Sequence, residues 1–182
     1  GDGDAERYRQ FCIGRARGLG RFDTLSLPAA TAIGRCDGQR TLQVYWLSAD
    51  RGGIPVENPR QVSAYRYPRE YGPQSPSFAR AMLPANPAMP LLLSGTAAVV
   101  GHASQHGESL AAQLDETLAN LDSLVATARA QRPSLGATLG PRSPLKVYVR
   151  DADAMPQVAA LLEDRAQVEI SGLALVAPSP AS

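Results

Sequence analysis

Two side chains in this sequence have types and settings that could bind or convert a small ligand. Arg80 shares one face of an extended segment, residues 77–83, with Phe78, and an arginine is an unusual choice for the core face of a strand. Glu169 lies between two β-branched residues on a predicted strand, where partial burial would raise the pKa of its carboxyl and let it donate a proton near neutral pH. The alternatives are a solvated sheet edge for Arg80 and an outward-facing side chain for Glu169.

A glycine between two apolar runs marks a third candidate position. Residues 91–108 place Ser94-Gly95-Thr96 between two such runs, which predicts a strand, a tight break and a second strand. A helical pattern follows over residues 109–130, and we expect this long helix to lie over the sheet. Because glycine has no side chain, a ligand could approach the backbone closely at Gly95.

The remaining pattern describes a mixed α/β chain. A helix is predicted over residues 5–19, capped by Asp4 and ended by Gly18 and Gly20. A second helix is predicted over residues 156–162, and strands over residues 31–35, 40–49, 61–67, 77–83, 145–149 and 167–176, with a hairpin turn at residues 36–39. Residues 42–47 are largely apolar, so their strand is expected inside the sheet. The order predicts an α/β (α+β) fold, a mixed β-sheet with helices packed on one face.

Composition excludes several classes of protein. The chain has 182 residues, 44% of them hydrophobic and 19% charged, and a net charge of +1 without a basic block, so neither a nucleic-acid partner nor a membrane partner is expected. No apolar run reaches the roughly 18 residues of a membrane span, and we predict a cytoplasmic location. Cys12 and Cys36 lack metal-site spacing and are expected to be reduced thiols, with no metal site.

The glycines of the first helix do not form a nucleotide-binding loop. Gly14, Gly18 and Gly20 lie at a helix end instead of following a strand, so their spacing fails the structural context that a dinucleotide site requires. No cofactor is expected.

A series of short motifs gives a specific resemblance that covers nearly the whole chain. In order, the motifs are Tyr8-Arg9-Gln10-Phe11-Cys12-Ile13-Gly14-Arg15, Glu57-Asn58-Pro59, Tyr67-Pro68, Tyr71-Gly72-Pro73, Ser77-Phe78-Ala79-Arg80-Ala81, Ser94-Gly95-Thr96-Ala97, Gly101-His102, Lys146-Val147-Tyr148-Val149-Arg150 and Val168-Glu169-Ile170. Together they resemble the C-terminal half of the chorismatase family, whose members have RidA/YjgF-like (chorismate-mutase-like) domains. The likeness is to the branch that forms 3-hydroxybenzoate and 4-hydroxybenzoate for aryl-polyene pigment (xanthomonadin-type) and ubiquinone pathways.

The resemblance implies a reaction and assigns site residues to it. Chorismate would be converted to 3-hydroxybenzoate, with or without 4-hydroxybenzoate, and pyruvate. Arg15, Arg80 and Arg150 would hold the substrate carboxylates, Tyr67 would orient the ring or its hydroxyl, and Gly95 would admit the substrate. Glu169 would protonate the enol ether as the general acid. Two alternatives stay open: hydrolysis of chorismate to a dihydroxy-cyclohexadiene carboxylate, and a non-catalytic RidA-like module that binds a small carboxylate.

The resemblance also implies a domain organisation. Residues 1–176 would form the C-terminal RidA-like catalytic domain, followed by a disordered tail at residues 177–182, and an N-terminal RidA-like domain of the same protein would be its partner. The family has more chain, including a strand and a pocket residue, between the positions of Arg165 and Ala166. We therefore expect an intact mass above the 19.2 kDa of this sequence.

Overall fold

The computed structural model describes residues 6–20, 23, 26–34, 41–141 and 143–165, together with the backbone of residues 169–175. Within these residues it contains three α-helices and seven strands, five of which lie between the first and second helices. The helices are α1 Arg7–Leu19, α2 Leu110–Gln131 and α3 Met155–Arg165, and the strands are β1 Ile54–Val56, β2 Ala81–Leu83, β3 Leu92–Leu93, β4 Val99–Val100, β5 Ala103–Ser104, β6 Pro144–Val149 and β7 Glu169–Leu175. The mixed α/β class predicted from the sequence is confirmed.

The strands of the described residues form three small sheets instead of the one mixed sheet that was expected. The first is antiparallel with the order β1-β2-β3, the second is the β4-β5 hairpin, and the third is the parallel pair β6-β7 joined through α3. Most of these strands are only two or three residues long, because proline, glycine and tight turns interrupt the extended segments. At the β4-β5 turn Gly101 has φ of 61°, which glycine adopts without steric cost.

The core lies where α2 packs on the β1-β2-β3 sheet. Five buried residues from these elements form one hydrophobic cluster: Val56, Ala81, Leu83, Leu124 and Ala128. The predicted placement of a long helix over the sheet is therefore confirmed. Its predicted start also holds, because the Ser109 side chain accepts a hydrogen bond from the Ala112 backbone N–H.

A polar face of α2 attaches the helix to the loops beside the sheet. Asn120 is fully buried, and its amide group donates to the carbonyl oxygens of Ala97 and Val99 at 3.0 and 2.9 Å. Its Oδ1 accepts from the Arg60 Nε at 3.0 Å. The Glu116 carboxylate contacts Arg60 and lies 3.3 Å from the Nε2 of His106. Asn120 and Glu116 therefore have a structural role, because polar side chains at a packed helix face are usually hydrogen-bonded to their neighbours.

The first helix agrees with its prediction except at its start. Helix α1 ends at Gly20, as expected, where the backbone has φ of 63°. Its N-cap is Glu6, whose carboxylate accepts from the backbone N–H groups of Tyr8 and Arg9 at 2.8 and 3.0 Å. The predicted cap, Asp4, lies outside the described residues. The helix therefore starts later than the sequence predicted.

Two of the predicted strands are shortened or replaced. Within residues 61–67 only Gln61 pairs with another segment, through an isolated bridge to Gly101, and the chain then forms a 3₁₀ turn at Ala64–Arg66. The turn forms because Arg66 N–H and Tyr67 N–H bond back to Ser63 and Ala64, which removes these groups from any sheet. In residues 77–83 the regular ladder begins only at Ala81.

Residues 41–49 contradict their prediction most clearly. They form no strand in the structure, and the side chains of Tyr45 and Trp46 are 83% and 78% exposed. Residues 31–34 are likewise outside any strand. A β-strand needs a neighbour for its backbone groups, and the described part of the chain supplies none here. The predicted turn at residues 36–39 and the predicted tail at residues 177–182 lie outside the described residues.

Candidate active site

Arg80 is the buried charge around which the candidate site is built. The residue precedes β2 and is only 5% exposed. Its Nη2 donates to the Val62 carbonyl oxygen at 3.0 Å and to the Tyr67 hydroxyl at 2.9 Å. The guanidinium carbon also lies 5.4 Å from the Phe78 ring centroid and 5.6 Å from that of Tyr67. The solvated-edge alternative for Arg80 is therefore wrong, because the side chain is enclosed between two aromatic rings.

The bonding capacity of Arg80 is only partly used. Its Nε is buried without a hydrogen-bond partner, and the guanidinium makes no ion pair with a carboxylate in the described residues. A buried charge without a direct counter-ion is costly, whereas an anionic ligand would offset that cost. The unpaired Nε–H of Arg80 is thus a donor that an anionic ligand could use.

Tyr67 extends the site into an aromatic group. Its ring centroid lies 5.4 Å from that of Tyr71 and 6.4 Å from that of His102. The Tyr71 hydroxyl is 3.0 Å from the His102 carbonyl oxygen and 3.1 Å from its Nδ1, and Glu70 lies 4.0 Å from the same nitrogen. The predicted site residue Tyr67 thus joins Arg80 to a surface lined by a tyrosine and a histidine.

Helix α1 brings its side chains to the same neighbourhood. Burial raises the pKa of the Tyr8 hydroxyl and Cys12 raises it further, while Arg15 acts in the opposite direction. Tyr67 also contributes to the rise, so Tyr8 lies within electrostatic range of it. Cys12 is a buried free thiol whose pKa is raised by burial. The structure therefore places Arg15 in a group with Tyr8 and Cys12 that borders Tyr67.

The space beside Gly95 is filled by the chain itself. A Cβ at this position would lie 3.1 Å from the Cγ2 of Thr31, and the Gly95 N–H donates to the Thr31 hydroxyl at 2.8 Å. Its neighbour Ser94 donates to the Ala79 carbonyl oxygen, one residue before Arg80. Gly95 thus permits a close approach, as predicted, but the group that approaches in this structure is Thr31.

Arg150 and Glu169 lie on the third sheet, apart from the strands beside Arg80. Arg150 follows β6 and is exposed. The backbone of Glu169 begins β7 and pairs with Pro144. The roles of Arg150 as a carboxylate ligand and of Glu169 as the general acid remain predictions.

Sequence reasoning missed Glu57, Tyr71 and His102 as members of this region. All three occur in motifs that carried the resemblance, but none was assigned a role. Burial raises the pKa of the Glu57 carboxyl, and the Ser63 side chain and the charge of Arg80 offset part of that rise. A half-buried glutamate beside an arginine is the signal that could have identified it, but their proximity depends on strand pairing between residues far apart in sequence.

Within the described ranges no cluster of three or more histidine, cysteine, aspartate or glutamate side chains is arranged to hold a metal ion. None of the described helices is both long and apolar enough to cross a membrane.

Fold and site together define an α/β protein with a buried arginine that is flanked by aromatic rings and has an unpaired Nε–H donor. Comparison with known proteins identifies which such protein it resembles. Residues 1–48 match the family model described as "Chorismatase FkbO/Hyg5-like, N-terminal". A chorismatase of Streptomyces rapamycinicus is 36% identical over 168 residues, covering 88% of this chain and 50% of that protein. A 3-hydroxybenzoate synthase of Streptomyces hygroscopicus is 38% identical over 169 residues, covering 87% of this chain and 49% of that protein.

A solved structure agrees with the sequence comparisons. The crystal structure of a chorismatase at 1.08 Å resolution superposes with a TM-score of 0.74 and 30% identity, covering 96% of this chain and 54% of that one. The chain belongs to the chorismatase family, as the motifs indicated. It spans about half the length of the curated relatives it matches.

Proposed function

We propose that this chain belongs to an enzyme that converts chorismate to 3-hydroxybenzoate, with or without 4-hydroxybenzoate, and pyruvate. The observation that carries the proposal is Arg80, a buried cation with a vacant Nε–H donor, in a chain 38% identical to a 3-hydroxybenzoate synthase. Chorismate has two carboxylates and a ring, so it fits a guanidinium set against aromatic side chains. A charge-assisted hydrogen bond to a carboxylate contributes roughly 1.5–3 kcal/mol.

The substrate-binding roles follow the geometry at Arg80. We assign one substrate carboxylate to Arg80 and the orientation of the ring to Tyr67, whose hydroxyl accepts from Arg80 at 2.9 Å. Arg15, which lies near Tyr8 and Cys12, and Arg150 are proposed to bind the remaining carboxylate oxygens. Gly95 is proposed to border the bound substrate.

Glu169 is the proposed general acid. Protonation of the enolpyruvyl methylene carbon would place positive charge on the adjacent ether carbon. Cleavage of the bond between the ether oxygen and the ring would then release pyruvate, and loss of a ring proton would give the aromatic hydroxybenzoate. Hydroxybenzoate and pyruvate together contain all the atoms of chorismate, so this route consumes no water overall. The alternative hydrolysis takes up a water molecule and gives a dihydroxy-cyclohexadiene carboxylate.

The proposal is tested by incubating the complete protein with chorismate. Pyruvate release, followed through lactate dehydrogenase, reports cleavage of the ether, and chromatography of the ring product distinguishes the hydroxybenzoates from the hydrolysis product. Binding of chorismate without pyruvate release would favour the non-catalytic RidA-like module instead.

The domain assignment forms part of the same proposal. We propose a RidA-like fold for the catalytic part and a second, N-terminal RidA-like domain as its partner. The originally predicted boundary places residues 1–176 in the C-terminal domain. The match of residues 1–48 to a model described as N-terminal favours a boundary after residue 48, just before the first strand of the described sheets at Ile54.

An exposed apolar segment supports such a partner. This segment, residues 42–47, contains Leu42, Val44 and Leu47 with 75%, 62% and 68% of their surface exposed. Contiguous apolar surface of this kind marks an interaction site. We propose that strands of the N-terminal half cover it.

A cytoplasmic location and a supply of hydroxybenzoate to pigment and ubiquinone pathways are also part of the proposed function.

A further inference from the structure

Unpaired buried polar atoms occur in the two chain segments that carry Glu57 and Arg80. Five buried side-chain nitrogen or oxygen atoms of the described residues lack a hydrogen-bond partner, and four of them occur in residues 57–61 and 77–80: Glu57 Oε2, Gln61 Oε1, Ser77 Oγ and Arg80 Nε. Buried polar groups are nearly always paired in native proteins. Arg80 Nε is an unpaired donor and Glu57 Oε2 an unpaired acceptor, and a polar ligand with both kinds of group would satisfy them.

Strand register places Glu57 and Arg80 together. Strands β1 and β2 are antiparallel with Val56 opposite Ala81, so the next pair along the two chains is Glu57 and Arg80. The carboxyl of Glu57 is hydrogen-bonded to the Ser63 side chain and to the backbone of Arg80, and it lies within electrostatic range of the Arg80 and Arg66 charges. Glu57 is half-buried and its Oε2 is withdrawn from water, and this burial raises the pKa of the carboxyl.

We propose that Glu57 is a substrate-positioning residue, whose buried Oε2 binds a hydroxyl group of a ligand that Arg80 holds by its carboxylate. The pair would then select hydroxylated carboxylic acids over acids that lack the hydroxyl. This inference rests on the proposed function, because it concerns the same site. Sites that hydrogen-bond a ligand hydroxyl reject analogues without it, since the buried protein group is then left unpaired.

A purely structural role for Glu57 makes a different prediction. If the carboxyl served only to stabilise the Arg80 charge, its loss would weaken binding of every carboxylate by the same factor. A ligand pair that differs in one hydroxyl separates the two roles. The probes are 3-hydroxybenzoate and benzoate, titrated by calorimetry into the complete protein.

The experiment compares the ratio of the two dissociation constants. We expect the wild type to prefer 3-hydroxybenzoate by about tenfold or more, the value of one hydrogen bond to a charged group. Glu57→Met fills the same space but cannot accept or donate such a bond, so its preference should fall to near unity. Glu163→Met, at an exposed position of α3, is the matched control and should keep the wild-type ratio.

A second variant keeps the test decisive if Glu57→Met does not fold. In the wild type the preference should increase as the pH rises through the pKa of Glu57, because the carboxylate accepts the hydroxyl proton better than the acid does. Glu57→Gln cannot ionise, so its preference should be independent of pH. Arg80 and Arg66 are the charged groups that act on Glu57, and both are unchanged in the Glu57→Gln variant.

The outcomes separate this inference from the proposed reaction. Equal preference in the wild type and in Glu57→Met, or no preference in the wild type, overturns the role of Glu57 even if chorismate is cleaved. Loss of preference in Glu57→Met without any release of pyruvate from chorismate by the wild type would support Glu57 and contradict the reaction.

Discussion

Protein contacts use only part of the hydrogen-bonding capacity of the Arg80 guanidinium and leave its Nε–H unpaired. Hydrogen bonds to Val62 and Tyr67 use only its Nη2, and the rings of Phe78 and Tyr67 cover the guanidinium. Protein contacts therefore fix the plane of the group while its Nε stays unpaired. A fixed planar donor is suited to a carboxylate in a way that a lysine ammonium is not.

Replacement of Arg80 by lysine tests this geometry. Arg80→Lys keeps the positive charge but loses the planar fork, so chorismate should bind roughly 10- to 100-fold more weakly, in line with one charge-assisted hydrogen bond. The measurement is a direct titration of chorismate, with thermal unfolding to show that the fold is retained. Arg51→Lys, at an exposed loop position, is the control. Unchanged affinity in a folded Arg80→Lys variant would remove Arg80 from the binding site.

The proposed general acid requires a separate test. Glu169→Gln keeps the size of the side chain and removes the transferable proton, so turnover should fall by roughly 10²–10⁴-fold while chorismate still binds. Pyruvate release measures the first quantity and titration of chorismate the second. Near-normal turnover would eliminate Glu169 as the acid, whereas a loss of affinity alone would make it a positioning residue.

The elements of this chain differ in how far the sequence determines them. Helix α2 was predicted to within one residue at each end, because its apolar spacing and the Ser109 cap are local signals. The prediction of a strand over residues 61–67 was wrong. The backbone N–H groups of Arg66 and Tyr67 bond back along the chain and form a turn, and such a turn leaves no trace in the spacing of apolar residues. Glu57 was missed for a related reason, since its position opposite Arg80 depends on a long-range register.

Helix α2 is also the element whose attachment should depend on pH. Hydrogen bonds from Arg60 and then His106 hold the pKa of Glu116 below its usual range. A depressed carboxyl pKa stabilises the fold fully above the ordinary carboxyl pKa, and the contribution disappears as the pH falls through the lowered value. Denaturant unfolding at a series of acid pH values should show this loss.

The Glu116→Gln variant isolates that contribution. It should be less stable than the wild type near neutral pH, and the difference should shrink as the pH falls, because the wild type loses the ionised form that the variant never had. Glu163→Gln on α3 should follow the wild-type curve. A constant difference between Glu116→Gln and the wild type at all pH values would show that the carboxylate charge is not what holds α2.

At the scale of the whole molecule, the apolar side chains of residues 42–47 are exposed and are a candidate surface for contact with another part of the protein. These side chains have the composition of an inner strand, and the sequence predicted one, but the described chain provides no strand beside them. The curated relatives are about twice as long as the matched region, and the matching family model ends at residue 48. Both observations agree with a segment that completes a sheet in the other half of a chorismatase.

Trp46 provides a direct measure of whether that half covers the segment. It is the single tryptophan of the 182-residue chain and is 78% exposed, so its fluorescence in this chain alone should be that of a solvated indole and should be quenched readily by iodide. In the complete protein with an N-terminal domain, the emission should shift to shorter wavelength and quenching should decrease, because the indole is removed from water. In that protein Trp46→Phe identifies the signal that belongs to this position. Equal quenching of Trp46 in the chain and in the complete protein would show that the N-terminal domain leaves residues 42–47 exposed. The proposal that strands of the N-terminal half cover this segment would then be wrong.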